Sequence, residues 1–422
     1  MAKLVSEGKM PYSDFMYAHP PLQIFLIAPV FYFFGFNLFL LKLVSLLAYI
    51  VSAFFLFKLV KEKFGDNEAL LSVILFLFSY NLMIEATYYL GIELTVMFVL
   101  IGFYLMFKNK NLISGIFFGL AGITGLYSLI IIFVIFVISF FKNYKKLLRL
   151  VIGFLIIFGT VNIIFSLLYT DNYINWVYGY HLLKPKESEN NFSVFYTVIK
   201  NNIILFTAAF CLIFVKEKKK VLPFFIASVV YIIFLATLKK IFNFYFIMLF
   251  PLLAVLGAYS LMNIYNKIKN KIIKRTVLIF FLVIILINLV LITVHLFTFD
   301  FINFQTMEEI TQYIKENSND NDMLFGDNSI TPLVALFSER KLELNTLNTN
   351  EMIYQSGLVD LEETIKQIQK ENVKFVITRP LYGIDAFQIF KDYLERECKL
   401  KKRWKDPYWS DILLYDCKKK IV

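Results

Sequence analysis

A short polar stretch near the start of the chain carries the first residues that could do chemistry. It runs from Gly8 to Leu22 as GKMPYSDFMYAHPPL and precedes a long series of apolar segments. Pro20 and Pro21 fix φ and lack N–H donors, so they predict a helix over Leu22–Phe34. A helix N-terminus favours anions. Three side chains are expected beside it: Asp14, Tyr17 and His19. The alternative is a tail that merely enters its first hydrophobic segment.

Two carboxylates are set into the apolar segments themselves. Glu85 ends one apolar run, and Glu93 begins the next within YYLGIELTV. Ionisable groups in hydrocarbon are costly and tend to be functional. We therefore predict a functional role for Glu93, whereas Glu85 is equally well explained as a residue that reaches the membrane interface.

Cations form a third candidate group. Lys239 and Lys240 follow an apolar run, on the side of the membrane that the other basic loops avoid. Ammonium groups at a membrane surface suit the phosphate or diphosphate of a lipid. The alternative is a pair of lysines that extend from a helix end into water.

The segment Thr170–Asn201, which is predicted to be a loop on the outward side, combines polar and aromatic residues. Its stretch YGYHLLKPKESE holds His181, Lys184 and Lys186. Aromatic rings with polar edges suit sugar faces and lipid headgroups, although an interface belt needs no further function. Four such rings accompany the polar residues: Tyr173, Trp176, Tyr178 and Tyr180.

Composition sets the class of the protein that must position these groups. The 422 residues are 59% hydrophobic and 18% aromatic, with a mean hydropathy of +0.66. Such values and long uncharged runs predict a polytopic α-helical membrane protein. The net charge of +11 does not indicate nucleic-acid binding, because just 11 of the 32 acidic residues precede residue 300. The basic excess therefore belongs to the membrane part, where it orients the spans.

The hydropathy pattern predicts about ten spans and an interfacial helix. The helix before residue 36 is too short for the ~20 residues that a bilayer requires, so we place it along the interface. The basic clusters fall on one side, predicted to be cytoplasmic. The domains predicted are an external loop (1–20), a transmembrane domain (21–298) and an extracytoplasmic α/β domain (299–422). The apolar runs lie near 38–60, 69–86, 88–107, 112–141 (split near 122–127), 147–169, 202–215, 221–238, 242–263 and 276–298.

From Asp300 onward, mixed charge and alternating helix and strand patterns predict a small α/β domain. It ends in CKLKKRW and DILLYDC on either side of the turn DPYWS. In a hairpin centred on that turn Cys398 would face Cys417, which predicts a cross-strand disulfide outside the cytoplasm; two free thiols are the alternative. The other predicted elements are helices at 306–317, 332–338, 361–371 and 386–397 and strands at 323–325 and 374–378.

Motifs for several other chemistries are missing from the sequence. It has no Walker A motif, no GxGxxG at a strand-to-helix turn, no HExxH and no paired CxxC. His19, His181 and His295 are too scattered to predict a metal site. No cofactor is therefore predicted to be obligatory, and a divalent metal stays open.

Taken together, the opening loop, the turn at Glu93, the stretch LKKIFNFYFIMLFPLLAVLGAY and the terminal α/β domain resemble GT-C class membrane glycosyltransferases. The branch resembled is the family 39-like one of aminoarabinose transferases and protein O-mannosyltransferases. Its external-loop motif G-x-x-P-Y-x-D-F…P-P-L is matched by Gly8, Pro11, Tyr12, Asp14, Phe15, Pro20, Pro21 and Leu22. The resemblance implies that the helix opened by the prolines lies along the membrane.

The resemblance also implies roles for individual positions. His19 stands where relatives place a basic residue that helps hold the lipid phosphate, and Glu93 matches a second acidic position, without the Arg that often precedes it. The basic-aromatic-proline pattern of the family is matched by Lys240, Phe244, Tyr245 and Pro251. The family's catalytic Asp-Glu pair ends a first transmembrane helix upstream of the loop, and the sequence begins after that point. We expect that Met1 of this sequence is internal to the gene product; loss of the base is the alternative.

The implied reaction is transfer of a sugar from a polyprenyl-phosphate carrier to a lipid, glycan or protein acceptor at the outer face of the cell membrane. Asp14 is the first candidate for the base and Glu93 the second. The candidate phosphate ligands are His19, Lys184, Lys239 and Lys240, and the candidate substrate-contacting residues are Tyr12, Tyr17, His181 and Tyr245. A transporter or flippase of a lipid-linked intermediate and a non-catalytic membrane scaffold are the alternatives.

Overall fold

The computed structural model describes residues 1–86, 88–186, 191–343, 348–371, 373–405 and 411–417. The chain divides into two compact units. The helical unit comprises His19–Phe165 and Lys186–His295, and the mixed unit comprises Met1–Ala18, Ser166–Pro185 and Leu296–Val422.

Helices make up most of the described chain. The first nine are Ala2–Ser6 (α1), Leu22–Phe34 (α2), Leu38–Phe64 (α3), Asp66–Leu77 (α4), Tyr80–Glu85 (α5), Ile92–Phe107 (α6), Asn111–Gly122 (α7), Ser128–Lys142 (α8) and Tyr144–Phe154 (α9). The next seven are Thr160–Ile174 (α10), Tyr180–Leu183 (α11), Asn191–Asn201 (α12), Ile203–Phe210 (α13), Leu222–Thr237 (α14), Phe250–Lys267 (α15) and Lys271–Asn317 (α16). Short π-helical segments at Leu155–Gly159 and Asn175–Gly179 and 3₁₀ turns at Cys211–Phe214 and Asn243–Met248 complete this part.

The predicted helix over Leu22–Phe34 is confirmed with those bounds. Among the described residues, three helical segments are long and apolar enough to cross a membrane: Leu38–Phe64, Tyr144–Leu183 and Lys271–Thr298. A pair bent by 86°, Asn191–Asn201 and Ile203–Phe214, makes a fourth if it counts as one span. The other apolar helices are shorter, so the ten spans stay a prediction.

The helical unit is held together by one large apolar core and by close helix approaches. Leu56, Phe76, Phe118 and Phe250 are completely buried in that core. Helices α7 and α9 cross where Gly115 and Gly153 face each other's backbones, and a Cβ at either glycine would collide with the partner helix. Small residues let two helices approach this closely. The resulting van der Waals packing holds helices together in lipid, where the hydrophobic driving force between them is weak.

The mixed unit contains a five-stranded sheet. Its strands are Met323–Gly326 (β1), Lys341–Leu342 (β2), Val373–Thr378 (β3), Cys398–Trp404 (β4) and Ile412–Cys417 (β5). Its order is β2-β1-β3-β5-β4, with β1 parallel to β2 and β3 and with β5 antiparallel to β3 and β4. The accompanying helices are Thr331–Ser338 (α17), Glu351–Gln355 (α18), Leu361–Lys370 (α19) and Gln388–Glu397 (α20), with a 3₁₀ turn at Gly383–Ala386.

The predicted hairpin is present, with Cys398 paired to Cys417 in register. Their Sγ atoms are bonded as a disulfide. The turn DPYWS at 406–410 lies outside the described residues.

Two element predictions were wrong. The apolar run at 276–298 and the helix at 306–317 form one continuous helix, α16, because the segment contains no proline or glycine to end it. The segment 170–201, predicted to be a loop, is helical over most of its described residues. A break marks its start, where Thr170 has φ +46° inside α10, a conformation that β-branched residues rarely adopt.

Candidate functional site

The Glu93 side chain begins the candidate site of the helical unit. Gly91, with φ +80°, ends the preceding turn in the left-handed region, and α6 starts at the next residue. Glu93 is completely buried. Neither oxygen of its carboxylate has a hydrogen-bond partner within the described part of the protein, and the backbone groups of Leu90, Gly91 and Glu93 are the ones that favour its charged form. The start of a helix thus stabilises a carboxylate that apolar surroundings would otherwise exclude.

Two further polar side chains lie near Glu93. Tyr49, on α3, is 1% exposed, and its hydroxyl has no hydrogen-bond partner among the described residues. The Tyr49 hydroxyl interacts electrostatically with the carboxylates of both Glu93 and Glu85, and the two carboxylates also interact with each other. Glu85 ends α5 and is half-buried. We name Tyr49, Glu85 and Glu93 the acid cluster.

One hydrogen bond and one close contact hold the start of α2 next to the turn before Glu93. The Tyr89 hydroxyl donates to the carbonyl of Gln23 at 2.8 Å, and a second bond, from Leu22 N–H to Ile123 O at 3.1 Å, ties the same helix start to the end of α7. A Cβ at Gly91 would lie 2.7 Å from Gln23 Nε2, so glycine is needed there for space as well as for its positive φ. The N-terminal ends of α2 and α6 are therefore fixed together.

The cationic candidates of the helical unit are accessible. Lys239 and Lys240 follow α14 and are partly exposed. The Lys240 ammonium lies 5.0 Å from the ring centre of Phe242, within the range of a cation–π interaction. His19, just before α2, is exposed. These three side chains can meet a phosphate from the solvent or headgroup region.

Tyr245 has a structural position instead. It is 4% exposed, and its ring centre lies 4.2 Å from that of Tyr127. The Tyr231 hydroxyl donates to the Tyr245 carbonyl at 2.9 Å. These contacts show Tyr245 as part of the packing that supports the turn after Lys240.

Tyr12 anchors the loop of the mixed unit. It has φ +70° and no exposed surface, and Asn172 Nδ2 donates to its carbonyl at 3.1 Å. Burial, with smaller effects of the neighbouring tyrosines, raises the pKa of the Tyr12 phenol well above its usual range, so the side chain stays neutral. Its ring is surrounded by those of Tyr17, Tyr169 and Tyr173. A bulky residue in the left-handed region persists only where packing over-determines it.

The remaining candidates of this unit lie in the same loop as Tyr12 or in and directly after α11. Asp14 is half-buried, and its Oδ2 accepts a hydrogen bond from Met10 N–H at 2.7 Å, so its carboxylate already stabilises the turn. His181 Nε2 lies 3.2 Å from Ala18 O. Tyr17 and Lys184 are each 5% exposed. This unit therefore offers a tightly packed tyrosine loop.

The structure thus sorts the predicted residues into two sets. The helical unit holds Glu93, His19, Lys239, Lys240 and Tyr245, and the mixed unit holds Asp14, Tyr12, Tyr17, His181 and Lys184.

Two residues near the acid cluster, Tyr49 and Gln23, were not predicted from the sequence. A lone tyrosine within an apolar span is the one signal for Tyr49, and no local signal marks Gln23. No group of three or more His, Cys, Asp or Glu side chains among the described residues could hold a metal ion.

Both the sequence and the fold of the chain are similar to known proteins. Residues 18–169, which contain the acid cluster, match the family model described as dolichyl-phosphate-mannose-protein mannosyltransferase. No curated protein sequence matches the chain significantly. Two crystal structures of ArnT from Cupriavidus metallidurans are similar over 98% of this chain. The one bound to undecaprenyl phosphate has 11% identity and a TM-score of 0.69 over 91% of that chain, and the apo one has 12% and 0.66 over 92%.

A more distant likeness involves an archaeal enzyme. The Archaeoglobus fulgidus oligosaccharyltransferase, tethered with an acceptor peptide containing the NVT sequon, aligns with 98% of this chain and 68% of its own. Its TM-score is 0.54 at 11% identity. The matched structures, together with the apolar helices, indicate an integral membrane protein. The predicted resemblance is confirmed, and the chain has the fold of the GT-C class membrane glycosyltransferases of the ArnT and protein-mannosyltransferase type.

Proposed function

We propose that the protein transfers a sugar from a polyprenyl-phosphate carrier to an acceptor at the outer face of the membrane. The observation that carries the proposal is the acid cluster, a buried carboxylate without a side-chain partner beside a second, half-buried one. It falls within the segment that matches the mannosyltransferase family. Buried carboxylates are expensive in a membrane and mark functional sites.

The acid cluster has the groups that proton transfer requires. In the proposed reaction an acceptor oxygen attacks the anomeric carbon of the sugar, and the bond from that carbon to the carrier phosphate breaks. The proton of the acceptor passes to a carboxylate, and the polyprenyl phosphate leaves with the electron pair of the broken bond. Glu85 provides the accessible oxygen atoms, and Glu93 provides a fixed negative charge behind them.

The negative charge that develops on the leaving phosphate needs cations. Lys239, Lys240 and His19 belong to the same compact unit as the acid cluster and are at least partly exposed. Ammonium groups stabilise a phosphate as point charges. Asp14 and Lys184, in the mixed unit, stay sequence predictions for the base and for phosphate binding.

The placement of the C-terminal domain outside the cytoplasm is part of the proposal. The bonded pair Cys398 and Cys417 supports it, because disulfides form and persist in oxidising compartments. The carrier is proposed to be undecaprenyl phosphate or a close analogue, on the fold likeness to an ArnT structure that binds this lipid.

The test uses the full chain in liposomes with undecaprenyl-phosphate-linked radiolabelled sugars and a panel of lipid, glycan and peptide acceptors. The proposal predicts label on an acceptor and a matching amount of free undecaprenyl phosphate. Movement of the intact donor across the bilayer without any cleavage would show a flippase instead. Absence of both donor cleavage and donor binding would instead support a non-catalytic membrane scaffold.

A further inference from the structure

An apolar cavity with charged groups at its edge lies away from the acid cluster, within the helical unit. Its volume is about 250 Å³, and it is bordered by α3, α6, α8, α9 and α14. The polar side chains that line it are Lys63, Lys142, Lys146, Asn109 and Ser139. The apolar walls are formed chiefly by Leu59, Phe103, Val134, Ile135, Phe224 and Ala227.

The lysines at this cavity have no acidic partners among the described residues. Lys63 and Lys142 are close enough to repel each other electrostatically, and neither forms an ion pair within the described part of the chain. Nearby, Lys61 pairs with Asp66 at 2.6 Å, and Lys108 has its own acidic partner. Two like charges at an apolar cavity favour an anion between them.

Aromatic rings fix one of these cations at the cavity without neutralising it. The Lys63 ammonium lies 4.8 Å from the ring centre of Phe224 and 5.7 Å from that of Phe107. Such contacts attract a cation but leave its full charge available to an anion. Lys146 Nζ donates to the neutral Asn109 Oδ1 at 2.6 Å, so it also retains its charge.

We infer that this cavity binds an anionic membrane phospholipid, with its phosphate between the lysines and part of an acyl chain against the apolar walls. The walls favour an amphiphile over a free phosphate ion, because apolar surface gains free energy when a chain covers it. The unpaired lysines favour a lipid with net negative charge over a zwitterionic one, which carries its own cation. The basic ends of α3 and α8 are where the positive-inside rule predicts the cytoplasmic leaflet, which is rich in anionic lipids. The inference is independent of the proposed sugar transfer.

The experiment measures lipid binding to the full chain in detergent by native mass spectrometry. Phosphatidylglycerol and phosphatidylcholine with identical acyl chains are compared, with inorganic phosphate and undecaprenyl phosphate as competitors. The test variant is Lys63→Gln/Lys142→Gln, and Lys63→Arg/Lys142→Arg keeps both charges. The matched control is Lys110→Gln/Lys145→Gln, which removes two exposed charges that do not line the cavity.

We expect wild type to prefer phosphatidylglycerol, and the glutamine variant to lose this preference by roughly 25-fold, since each lysine near an anionic lipid contributes about fivefold. The arginine variant and the matched control should stay within about threefold of wild type. Because the wild-type preference and the arginine variant are measured separately, poor folding of the glutamine variant does not remove the test.

Several results would overturn the inference. Equal binding of the two phospholipids to wild type would show that the cavity does not select a lipid with net negative charge. An equal loss of the phosphatidylglycerol preference in the matched control would show that the preference comes from the total positive charge of that face and not from the cavity. Displacement of phosphatidylglycerol by inorganic phosphate, or tighter binding of undecaprenyl phosphate at this cavity, would assign the cavity to another ligand.

Discussion

The contact between Gly91 and Gln23 makes a sharp prediction about the start of α6. In Gly91→Ala the new Cβ would be placed on a backbone with φ +80° and ψ −14°. It would also lie 2.5 Å from Gln23 Oε1 and 2.7 Å from Gln23 Nε2. Real Cβ atoms do not tolerate such distances, so either the Gln23 side chain or the turn that precedes Glu93 must move.

The size of the effect follows from its two parts. Left-handed backbone costs an L-residue about 1–2 kcal/mol relative to glycine. Forcing Gln23 away from its rotamer adds about 0.5–1.5 kcal/mol. If the turn moves instead, the carboxylate of Glu93 shifts, and a displacement of about 1 Å can lower a reaction rate by roughly 100-fold. We expect Gly91→Ala to lower the rate of sugar transfer at least tenfold.

A double-mutant cycle separates the contact from the backbone strain. It compares wild type, Gly91→Ala, Gln23→Ala and the double variant by transfer rate and by apparent melting temperature in detergent. The double variant should regain about 0.5–1.5 kcal/mol relative to additivity. Gly357→Ala is the matched control, because Gly357 has φ +74° and no atom within 4 Å of its Cβ position. Additive effects in the cycle, or an equal loss of transfer in the control, would refute the reasoning.

Three further predictions concern the mixed unit. Alkylation of the native protein should modify Cys398 and Cys417 only after reduction; modification of both without reductant would show free thiols. Asp327→Ala should destabilise this unit by about 3–5 kcal/mol in thermal unfolding. The substitution removes the carboxylate that the buried Arg379 guanidinium contacts at 2.9 Å. A loss of stability below about 1 kcal/mol would contradict this prediction. Burial raises the pKa of Asp385, so the folded state holds its proton more tightly than the unfolded state. Its contribution to stability should be complete below the usual pKa of about 3.9 and should decrease as the pH rises through the folded value. Asp385→Asn should flatten that part of the stability profile, and an unchanged slope would be inconsistent with it.

Local rules predicted those elements whose ends depend on nearby residues. Pro20 and Pro21 set the start of α2 through their fixed φ and missing donors, and that helix has the predicted bounds. Alternating residues around a turn predicted that Cys398 and Cys417 would face each other, and they do so in the β4–β5 register.

The change of composition after Asp300 did not predict that the helix continues. The chain changes from one compact unit to the other at Leu296, and α16 runs through this point, since charge alone does not end a helix. The positive φ at Thr170 could not be predicted either, because a β-branched residue is disfavoured in that conformation and no turn-forming residue type marks the position.

For the candidate site, the sequence could identify costly groups but not their neighbours. Glu93 was selected because a carboxylate in an apolar run is rare, and it is completely buried. Tyr49 joins it from α3 and Gln23 approaches from α2, through packing between segments distant in sequence. Tyr12 matched a family motif as a substrate-contacting candidate, and its complete burial indicates a role in shaping the loop.

The most direct test of the account compares two carboxylates of the helical unit. Glu93→Gln removes the completely buried carboxylate of the acid cluster and leaves Glu85 in place, whereas Glu62→Gln removes a carboxylate that pairs with Lys108 outside the cluster. The measurement is the turnover of an undecaprenyl-phosphate-linked sugar in liposomes, with folding checked by size-exclusion chromatography. We predict a loss of at least 100-fold for Glu93→Gln, the size typical of a lost preorganised charge beside a reacting group, and less than a twofold change for Glu62→Gln. Turnover by Glu93→Gln within twofold of wild type would contradict the account.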